Sequence, residues 1–383
     1  MSYLTEERLM MRDSARAFTL QEVLPVANEL DPQKGEMPRA LLERMAEMGY
    51  FGMLLPEQYG GLGLGCFEYC LVAEELSRGW MSVASIMARG NLLNPDSLTE
   101  AQKQRYLPRM ARGELLGAFA LSEPNAGSDV AGISCRAVRV GDEWEITGNK
   151  YWCTFADGAD FILVFARTSP PAEGKPRHSG ISAFIVEKPR GQLPQGCNGA
   201  PIPKIGYHGW KTWELAFDGC RVPAENMIGE EGRGFYLATH GLEKARAHTA
   251  ARAIGLAQGA LEDALAYSRE RAQFGKPISE FQVTRFKLAD MATEIEAARQ
   301  LMYHVCTQID TGKRADKEAS MVKLFASDMS ERVTSEALQI FGGAGYTTLY
   351  PIERYWRDAR LTRIFEGTSE IQKRIISDHL LKA

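Results

Sequence analysis

The 383-residue sequence lacks several patterns that mark common classes of protein. Its seven cysteines are scattered, odd in number and never spaced as C-x-x-C or as a set of metal ligands, which disfavours a disulfide framework and a zinc site. Its six histidines form no H-x-x-x-H or H-E-x-x-H pattern, and no serine lies in a G-x-S-x-G motif. We therefore predict reduced thiols, no bound metal and no hydrolase triad.

Long apolar runs and an excess of charge of one sign are also missing. The amino terminus, MSYLTEERLMMRDSARAF, is charged throughout and has no apolar segment that could act as a signal sequence or a membrane span. The 45 Lys and Arg against 49 Asp and Glu give a net charge of −4, which provides no electrostatic argument for binding nucleic acid or membranes. These features predict a cytoplasmic protein whose partner is a small molecule or another protein.

Hydrophobic periodicity divides the chain into three regions. Residues 1–116 follow the helical period, whereas residues 117–230 contain short β-type runs such as Phe161–Phe165, separated by connections rich in Pro and Gly. The helical period returns in residues 231–383. We predict a mainly α fold with a central β domain, three domains with these boundaries, and no internal repeat.

Two segments near the start of the β domain have the composition of a cofactor site. The loop Ala120–Asp129 is rich in backbone donors and hydroxyls, although a solvated turn explains it equally well because it lacks the P-loop lysine and the G-x-G-x-x-G spacing. Further on, Trp152 and Thr154 suit one face of a flat ring with polar edges, such as flavin. Packing of Trp152 in the core is the alternative.

The segment Ile364–Gln372 is the most distinctive local feature. Ser369 and Gln372 can form a capping box, which predicts that the last helix starts there and leaves Glu366 in the preceding turn. An apolar setting would raise the pKa of the Glu366 carboxylate towards the value needed for proton abstraction. A carboxylate that complements the helix dipole is the simpler interpretation.

Together, several segments resemble the signatures of the acyl-CoA dehydrogenase family, in the same order and at similar spacing, over nearly the whole chain. They are LSEPNAGSDVAG (121–132), RAQFGKPISEFQ (271–282), ALQIFGGAGY (337–346) and RDARLTRIFEGTSEIQ (357–372). The resemblance implies an N-terminal helical domain, a middle β-barrel-like domain and a C-terminal four-helix bundle. It also implies an FAD-dependent enzyme that acts on an acyl-CoA substrate.

The resemblance assigns expected roles to individual residues. Glu366 falls on the position of the catalytic base, and Ala245, the position that carries the base in a minority of relatives, cannot accept a proton. The residues at FAD-binding positions are Phe119, Leu121, Ser122, Ser128, Trp152, Thr154, Arg271, Phe274, Gln282, Gln339, Gly343, Thr368 and Glu370. The residues at positions near the CoA substrate are Ser128, Glu243, Arg246 and Gly367. Five of the FAD positions, from Arg271 to Gly343, are those through which a neighbouring subunit contacts FAD, which implies a homo-oligomer, usually a tetramer.

The family mechanism follows from the acidity of a thioester. An α C–H is a weak acid, so a carboxylate must work beside a group that stabilises the developing enolate oxygen. The resemblance implies that the backbone N–H of Glu366 and a ribityl hydroxyl of FAD supply this stabilisation. The α proton would pass to Glu366 and the β hydride to flavin N5, giving a trans-2-enoyl-CoA, with an electron-transferring flavoprotein as electron acceptor.

The sequence departs from the family pattern beside the expected acyl pocket. The segment Ile86–Pro95 is shorter than in many relatives, and Arg89 within it either pairs with a substrate carboxylate or is a solvated arginine at a helix end. The segment Gly206–Trp213 is unusually aromatic, and its rings either narrow the pocket or pack in the core. An acyl-CoA oxidase, a flavin monooxygenase and a non-catalytic binding protein on the same fold remain alternatives. Glu366 disfavours the last two, since a monooxygenase commonly lacks this base and a binding protein would be free to lose it.

Overall fold

The computed structural model describes residues 3–171, 173–239 and 241–382. Its elements run in the order helices, sheet, helices, which confirms the predicted mainly α fold with a central β domain. Within these ranges, a search for helices long and apolar enough to cross a membrane finds none.

Residues 3–116 contain six α-helices. They are α1 (Glu6–Phe18), α2 (Leu24–Leu30), α3 (Arg39–Glu47), α4 (Cys66–Gly79), α5 (Met81–Gly90) and α6 (Glu100–Ala111). Polar side chains start two of them: the Thr5 side chain accepts a hydrogen bond from the Arg8 N–H at α1, and Thr99 forms a capping box with Gln102 at α6. Trp80, which has an extended backbone, ends α4 and precedes α5.

A mixed sheet of eight strands follows. They are β1 (Gly117–Ala120), β2 (Arg136–Val140), β3 (Glu143–Thr154), β4 (Phe161–Arg167), β5 (Ile181–Glu187), β6 (Cys197–Pro201), β7 (Thr212–Pro223) and β8 (Met227–Ile228). The strand order is β6-β7-β3-β2-β4-β5-β8, and β1 pairs in parallel with β4. The pairing of β3 with β7 shifts register between Lys150 and Cys153, and this irregularity contains Trp152. A bulge of this kind reorients side chains, so it determines the direction of the Trp152 side chain near the end of β3.

Long helices dominate the carboxyl-terminal region. Its elements are α7 (Gly234–Thr239), α8 (Leu242–Glu270), the small hairpin β9 (Ala272–Gln273) and β10 (Lys276–Pro277), α9 (Gln282–Asp310), α10 (Asp316–Phe341), α11 (Ile352–Thr362) and α12 (Ser369–Leu381). Helix α8 packs against both α10 and α4. The approach to α4 requires a glycine, because a Cβ atom on Gly255 would lie 2.1 Å from the Glu74 carbonyl oxygen. This contact fixes α8, which carries part of the site, against the amino-terminal helices.

All seven cysteines are free and buried. The spacing of the cysteines in the sequence does not predict that the folded chain brings three of them together. The sulfur atoms of Cys66, Cys70 and Cys306 lie within 4.8 Å of one another, where α4 meets α9. They belong to the same apolar core that joins the two helical regions.

Candidate functional site

Glu366 lies in the loop between α11 and α12, as the sequence predicted, but the cap of α12 differs from the prediction. Thr368, not Ser369, is the N-cap: its Oγ1 accepts a hydrogen bond from the Ile371 N–H at 3.3 Å. The side chain of Gln372 instead donates to the Gly367 carbonyl at 3.0 Å. The predicted capping box is therefore wrong, because the Gln372 side chain binds the loop at Gly367 and not the N-terminus of the helix.

The backbone of this loop is unusual. Glu366 and Gly367 both have positive φ angles, +54° and +90°, and the former is a conformation that costs a side-chain-bearing residue about 1–3 kcal/mol. The buried Lys323 of α10 donates to the Gly367 carbonyl at 2.6 Å. Burial lowers the pKa of Lys323 to about 8 although the charge of Glu366 opposes this. The surrounding contacts thus hold Glu366 in a strained and defined position.

Two side chains of α8 hold the carboxylate of Glu366. Arg252 Nη2 donates to Oε1 at 2.6 Å, and Thr249 Oγ1 donates to Oε2 at 2.6 Å. Arg252 is 2% exposed and also donates through Nη1 to Ser85 Oγ of α5 at 2.8 Å. Residues 249 and 252 are one turn apart on α8, so they present their side chains on the same face.

This arrangement sets the pKa of Glu366 opposite to the expectation from sequence. Burial raises the pKa, but the charge of Arg252 and the hydrogen bond from Thr249 lower it by more, and the result is about 2. The expected rise was wrong because it assumed apolar neighbours. Arg252 was missed, although a single arginine in the Ala- and Gly-rich stretch 247–260 was a signal that could have found it.

Neutral and aromatic side chains surround this ion pair. Burial, together with the charges of Arg252 and Arg89, holds the pKa of His248 at about 3, so this imidazole is neutral at pH 7. Phe365 packs edge-on against the buried Tyr207, with ring centroids 5.9 Å apart. Aromatic neighbours therefore flank the loop that carries Glu366.

The aromatic segment around residue 210 connects the Glu366 loop with the end of β3. Tyr207 contacts Trp210 at 5.2 Å between centroids, and Trp210 contacts Phe155 at 6.0 Å. Trp210 is 5% exposed, and Phe155 directly follows the last residue of β3. These rings form a packed row. The sequence left open whether the rings of Gly206–Trp213 narrow the pocket or pack in the core, and Tyr207 and Trp210 are buried and packed.

The proposed flavin-facing residues lie on β1, on β3 and in the loop after β1. Trp152 is 56% exposed and has a positive φ of +63°, so it is not a core residue. Thr154 Oγ1 lies 3.1 Å from Thr212 Oγ1 of the adjacent strand β7. Phe119 packs against Phe165 with centroids 5.0 Å apart. A large indole face that the chain leaves uncovered, beside a hydroxyl, fits a flat aromatic group with polar edges.

A buried ion pair, also missed from the sequence, fastens the loop after β1 to β3. The Glu123 carboxylate accepts hydrogen bonds from Lys150 Nζ at 2.9 Å and from the Ser134 N–H at 2.7 Å. Lys150 Nζ also donates to the Leu121 carbonyl at 3.0 Å, and the Ser122 carbonyl accepts from the Tyr151 N–H at 2.8 Å. Leu121 and Ser122 are thereby tied to β3, the strand that carries Trp152.

Within the described residues, none of the remaining predicted residues makes a hydrogen bond or ion pair with Glu366 or Arg252. The residues expected to meet a neighbouring subunit are all exposed: Arg271, Phe274, Gln282, Gln339 and Gly343. Ser128 and Glu370 are also exposed. Glu243 and Arg246 lie in the first turns of α8, where Arg246 is buried and pairs with Asp316 at 3.6 Å. Nη1 of Arg246 is buried and has no hydrogen-bond partner among the described residues.

Family models match almost the whole chain in three consecutive pieces. They are described as the acyl-CoA dehydrogenase N-terminal domain (residues 5–114), middle domain (118–220) and C-terminal domain (232–381). The fold, the site and these matches define an oxidoreductase that acts on acyl-CoA. The chain belongs to the acyl-CoA dehydrogenase family, as the sequence resemblance predicted, and the members of this family are flavin-dependent.

Individual relatives agree with this assignment. The chain is 42% identical to an acyl-CoA dehydrogenase of Bacillus subtilis over 99% of both chains. It is 43% identical to (2S)-methylsuccinyl-CoA dehydrogenase of Cereibacter sphaeroides, over 99% of this chain and 70% of that protein.

Two solved structures share the fold over the full length of the chain. A chain in the structure of the electron transferring flavoprotein of Acidaminococcus fermentans is 41% identical, has a TM-score of 0.94, and is covered completely, as is this chain. Butyryl-CoA dehydrogenase from Megasphaera elsdenii is 39% identical, with a TM-score of 0.92 and 99% of both chains covered.

Proposed function

We propose that this protein catalyses the FAD-dependent α,β-dehydrogenation of an acyl-CoA thioester to a trans-2-enoyl-CoA, with Glu366 as the base that removes the α proton. The observation that carries the proposal is the Glu366 carboxylate, held by Thr249 and Arg252 on a strained loop. Strain of this kind persists where the surrounding structure enforces it, and it is concentrated at functional sites. Ala245, the alternative position, offers no acid or base.

The backbone of the same loop supports the proposed stabilisation of the enolate. Within the described residues, the N–H of Glu366 makes no hydrogen bond, as is also true of Gly367 and Thr368, whereas the N–H groups of Phe365 and Ser369 are bonded. A free N–H beside a carboxylate can donate to the thioester carbonyl while the carboxylate takes the α proton. The two events on one residue would lower the barrier together.

The contacts of Glu366 define what must change when a substrate binds. A carboxylate whose pKa is about 2 is ionised at neutral pH, but it is a weak base. An acyl chain that excludes water and loosens the contact with Arg252 would raise its basicity at the moment of use. Thr249 would then keep the carboxylate oriented through its remaining hydrogen bond.

We propose that FAD binds along the end of β3, where Trp152 and Thr154 would face the flavin ring and the loop after β1 would supply Phe119, Leu121, Ser122 and Ser128. Thr368 and Glu370 would complete the site beside α12. When bound, the flavin accepts the β hydride at N5. Ser128, Glu243, Arg246 and Gly367 would lie along the CoA substrate, for which the buried, incompletely bonded guanidinium of Arg246 is a suitable phosphate or carbonyl donor.

We further propose that the active form is a homo-oligomer, with the tetramer expected from the family. Arg271, Phe274, Gln282, Gln339 and Gly343 would contact the FAD of a neighbouring subunit, and their exposure on the isolated chain supports this role. An electron-transferring flavoprotein would accept the electrons. The likeness to a chain in the structure of such a flavoprotein from Acidaminococcus fermentans supports this partner.

The test is anaerobic addition of short, branched, dicarboxylic and medium-chain acyl-CoAs to the purified yellow protein, with flavin absorbance as readout. Bleaching by one class of thioester, with a trans-2-enoyl-CoA as product, is the expected result. Bound flavin that no thioester bleaches would overturn the proposal. Mixing the reduced protein with oxygen then separates a dehydrogenase, which reoxidises slowly, from an acyl-CoA oxidase.

A further inference from the structure

Arg89 has no charged partner in the part of the chain that the structure describes. It lies in the last turn of α5, and its guanidinium is 5.8 Å from the centre of the Trp210 ring. Its Nε is buried and makes no hydrogen bond with any described residue. A favourable interaction with the end of the α5 dipole accounts for a cation here, but not for a buried donor without an acceptor.

The position of Arg89 places it beside the candidate catalytic site. Its charge contributes to the lowered pKa of His248, the residue that precedes Thr249, which donates to Glu366. Ser85, one turn earlier on α5, accepts a hydrogen bond from Arg252, the residue that holds Glu366. Residues four apart share one face of a helix, so the face that carries Arg89 is the face fastened to the base.

The charges around this site do not balance. Arg252 pairs with Glu366, and Lys323 donates to the Gly367 carbonyl. The charges of Arg89 and Asp157 both act on the pKa of Cys153, so Asp157 is a candidate partner for Arg89. Asp157 is already held by the Trp213 indole N–H at 3.0 Å and by Lys211 at 3.6 Å. Arg89 is therefore a surplus cation with a buried Nε, and a buried charge without a partner is costly.

Resting on the proposed function, we propose that Arg89 binds a second carboxylate on the acyl group, so that the substrates are CoA thioesters of dicarboxylic acids. Such a carboxylate would supply both the missing acceptor for Nε and the missing negative charge. A planar guanidinium can bind a carboxylate through two parallel hydrogen bonds, which also fixes the direction of the acyl chain. The reaction at the α and β carbons is unchanged.

The first experiment compares matched pairs of thioesters on the wild-type holoenzyme under anaerobic conditions. The pairs are methylsuccinyl-CoA with 2-methylbutyryl-CoA, glutaryl-CoA with valeryl-CoA, and adipyl-CoA with hexanoyl-CoA. In at least one pair, kcat/KM for the dicarboxylic member should exceed that of its neutral partner by about tenfold or more, the order expected for one desolvated charge pair. A preference for the neutral member in every pair would overturn the inference and leave the proposed function standing. If no thioester bleached the flavin, the proposed function would fail and the inference with it.

The second experiment replaces the guanidinium. Arg89→Gln should reduce the ratio of dicarboxylic to neutral kcat/KM by roughly 30-fold, mainly through KM, because charge recognition is lost in the ground state as well as the transition state. Arg112→Gln, which removes an exposed arginine whose one ion-pair partner among the described residues is Glu114, is the matched control and should leave the ratio unchanged. A ratio within about threefold of wild type in Arg89→Gln would contradict the role of Arg89. If Arg89→Gln did not fold, the wild-type comparison would decide, and Arg89→Lys would supply a variant that keeps the charge.

Discussion

The carboxylate of Glu366 is bound on both oxygens, by a cation on one side and a hydroxyl on the other. A base held in this way is well oriented, because each contact restricts one torsion of a flexible side chain. The same contacts reduce its basicity, since both stabilise the ionised form. Orientation and basicity are thus set by the same two residues of α8.

Glu366→Gln should abolish nearly all turnover while FAD stays bound, because the amide keeps the shape of the side chain and loses the base. Flavin content and the rate of anaerobic bleaching are the two measurements. Glu114→Gln, an exposed carboxylate beside Arg112, is the control and should behave as wild type. Activity within about tenfold of wild type, a barrier change of only about 1.4 kcal/mol, would show that Glu366 is not the base.

Arg252→Gln should move the acid limb of the pH–kcat/KM profile upwards. The pKa of Glu366 in the folded protein is about 2, so in the wild type this group stays ionised throughout the range from pH 4 to 9. Without Arg252, burial is the dominant influence and raises the pKa, which brings the loss of activity on acidification into the measurable range. An acid limb at the same pH in both proteins would contradict the assigned role of Arg252.

The same ion pair couples the stability of the fold to pH. The pKa of Glu366 is lower in the folded chain than the value near 4.3 of an unfolded glutamate, so its contribution to stability is present above that value. The contribution is lost as the pH falls from about 4 to about 2. Arg252→Gln should therefore flatten this part of the dependence of unfolding free energy on pH.

At the scale of elements, a buried ion pair helps to fasten the loop after β1 to β3. Glu123 is 5% exposed and Lys150 is fully buried. Burial raises the pKa of the Glu123 carboxyl, but Lys150 and the N–H groups of Ser134 and Cys135 outweigh it and the pKa is lowered. The carboxylate therefore stays charged where the loop after β1 meets β3.

Lys150→Met should destabilise the protein by about 3–5 kcal/mol, because it leaves a buried carboxylate without its cation. Denaturant unfolding of the holoenzyme measures the loss, and FAD affinity should fall with it, since Leu121 loses the Lys150 contact. Arg112→Met breaks an exposed pair with Glu114 and should cost less than about 1 kcal/mol. Equal losses in the two variants would show that the buried pair does not hold the loop.

The elements were easier to predict from sequence than the contacts between them. The apolar run Phe161–Phe165 lies within β4, because a buried strand is apolar on both faces. The start of α12 was predicted one residue late, because Ser369 and Thr368 are both good caps and only the backbone geometry distinguishes them. No local pattern indicates that residue 252 reaches residue 366, since that pairing depends on how α8 packs beside a loop 114 positions later.

At the scale of the whole molecule, large apolar side chains are exposed within or close in sequence to the segments predicted to contact a neighbouring subunit. Phe274 is 94% exposed, Tyr346 is 85% exposed and Leu349 is 82% exposed. Exposed apolar surface that forms a contiguous patch marks a site of protein contact, so we expect these side chains to be covered in an oligomer. Phe274 also has a positive φ of +52°, which is a strained backbone conformation. A contact with a neighbouring chain would offset the cost of this strain.

Phe274→Ser should weaken both the oligomer and the binding of FAD, because the same side chain is proposed to serve both. Light scattering after size-exclusion chromatography gives the mass, and flavin absorbance gives the FAD content at decreasing protein concentration. Met10→Ser, which removes an apolar side chain that is 73% exposed in α1, is the control. Unchanged mass together with unchanged FAD content would place the subunit contact elsewhere.

The burial of every native cysteine makes the folded chain suitable for selective labelling. Thiol reagents react with accessible thiolates, so the native fold should consume none of a maleimide probe over minutes. A single cysteine introduced at an exposed site, such as Glu336 on α10, would then be the one position that carries a fluorophore. Energy transfer between such labels on two chains would report the assembly of subunits in real time, with no native cysteine removed.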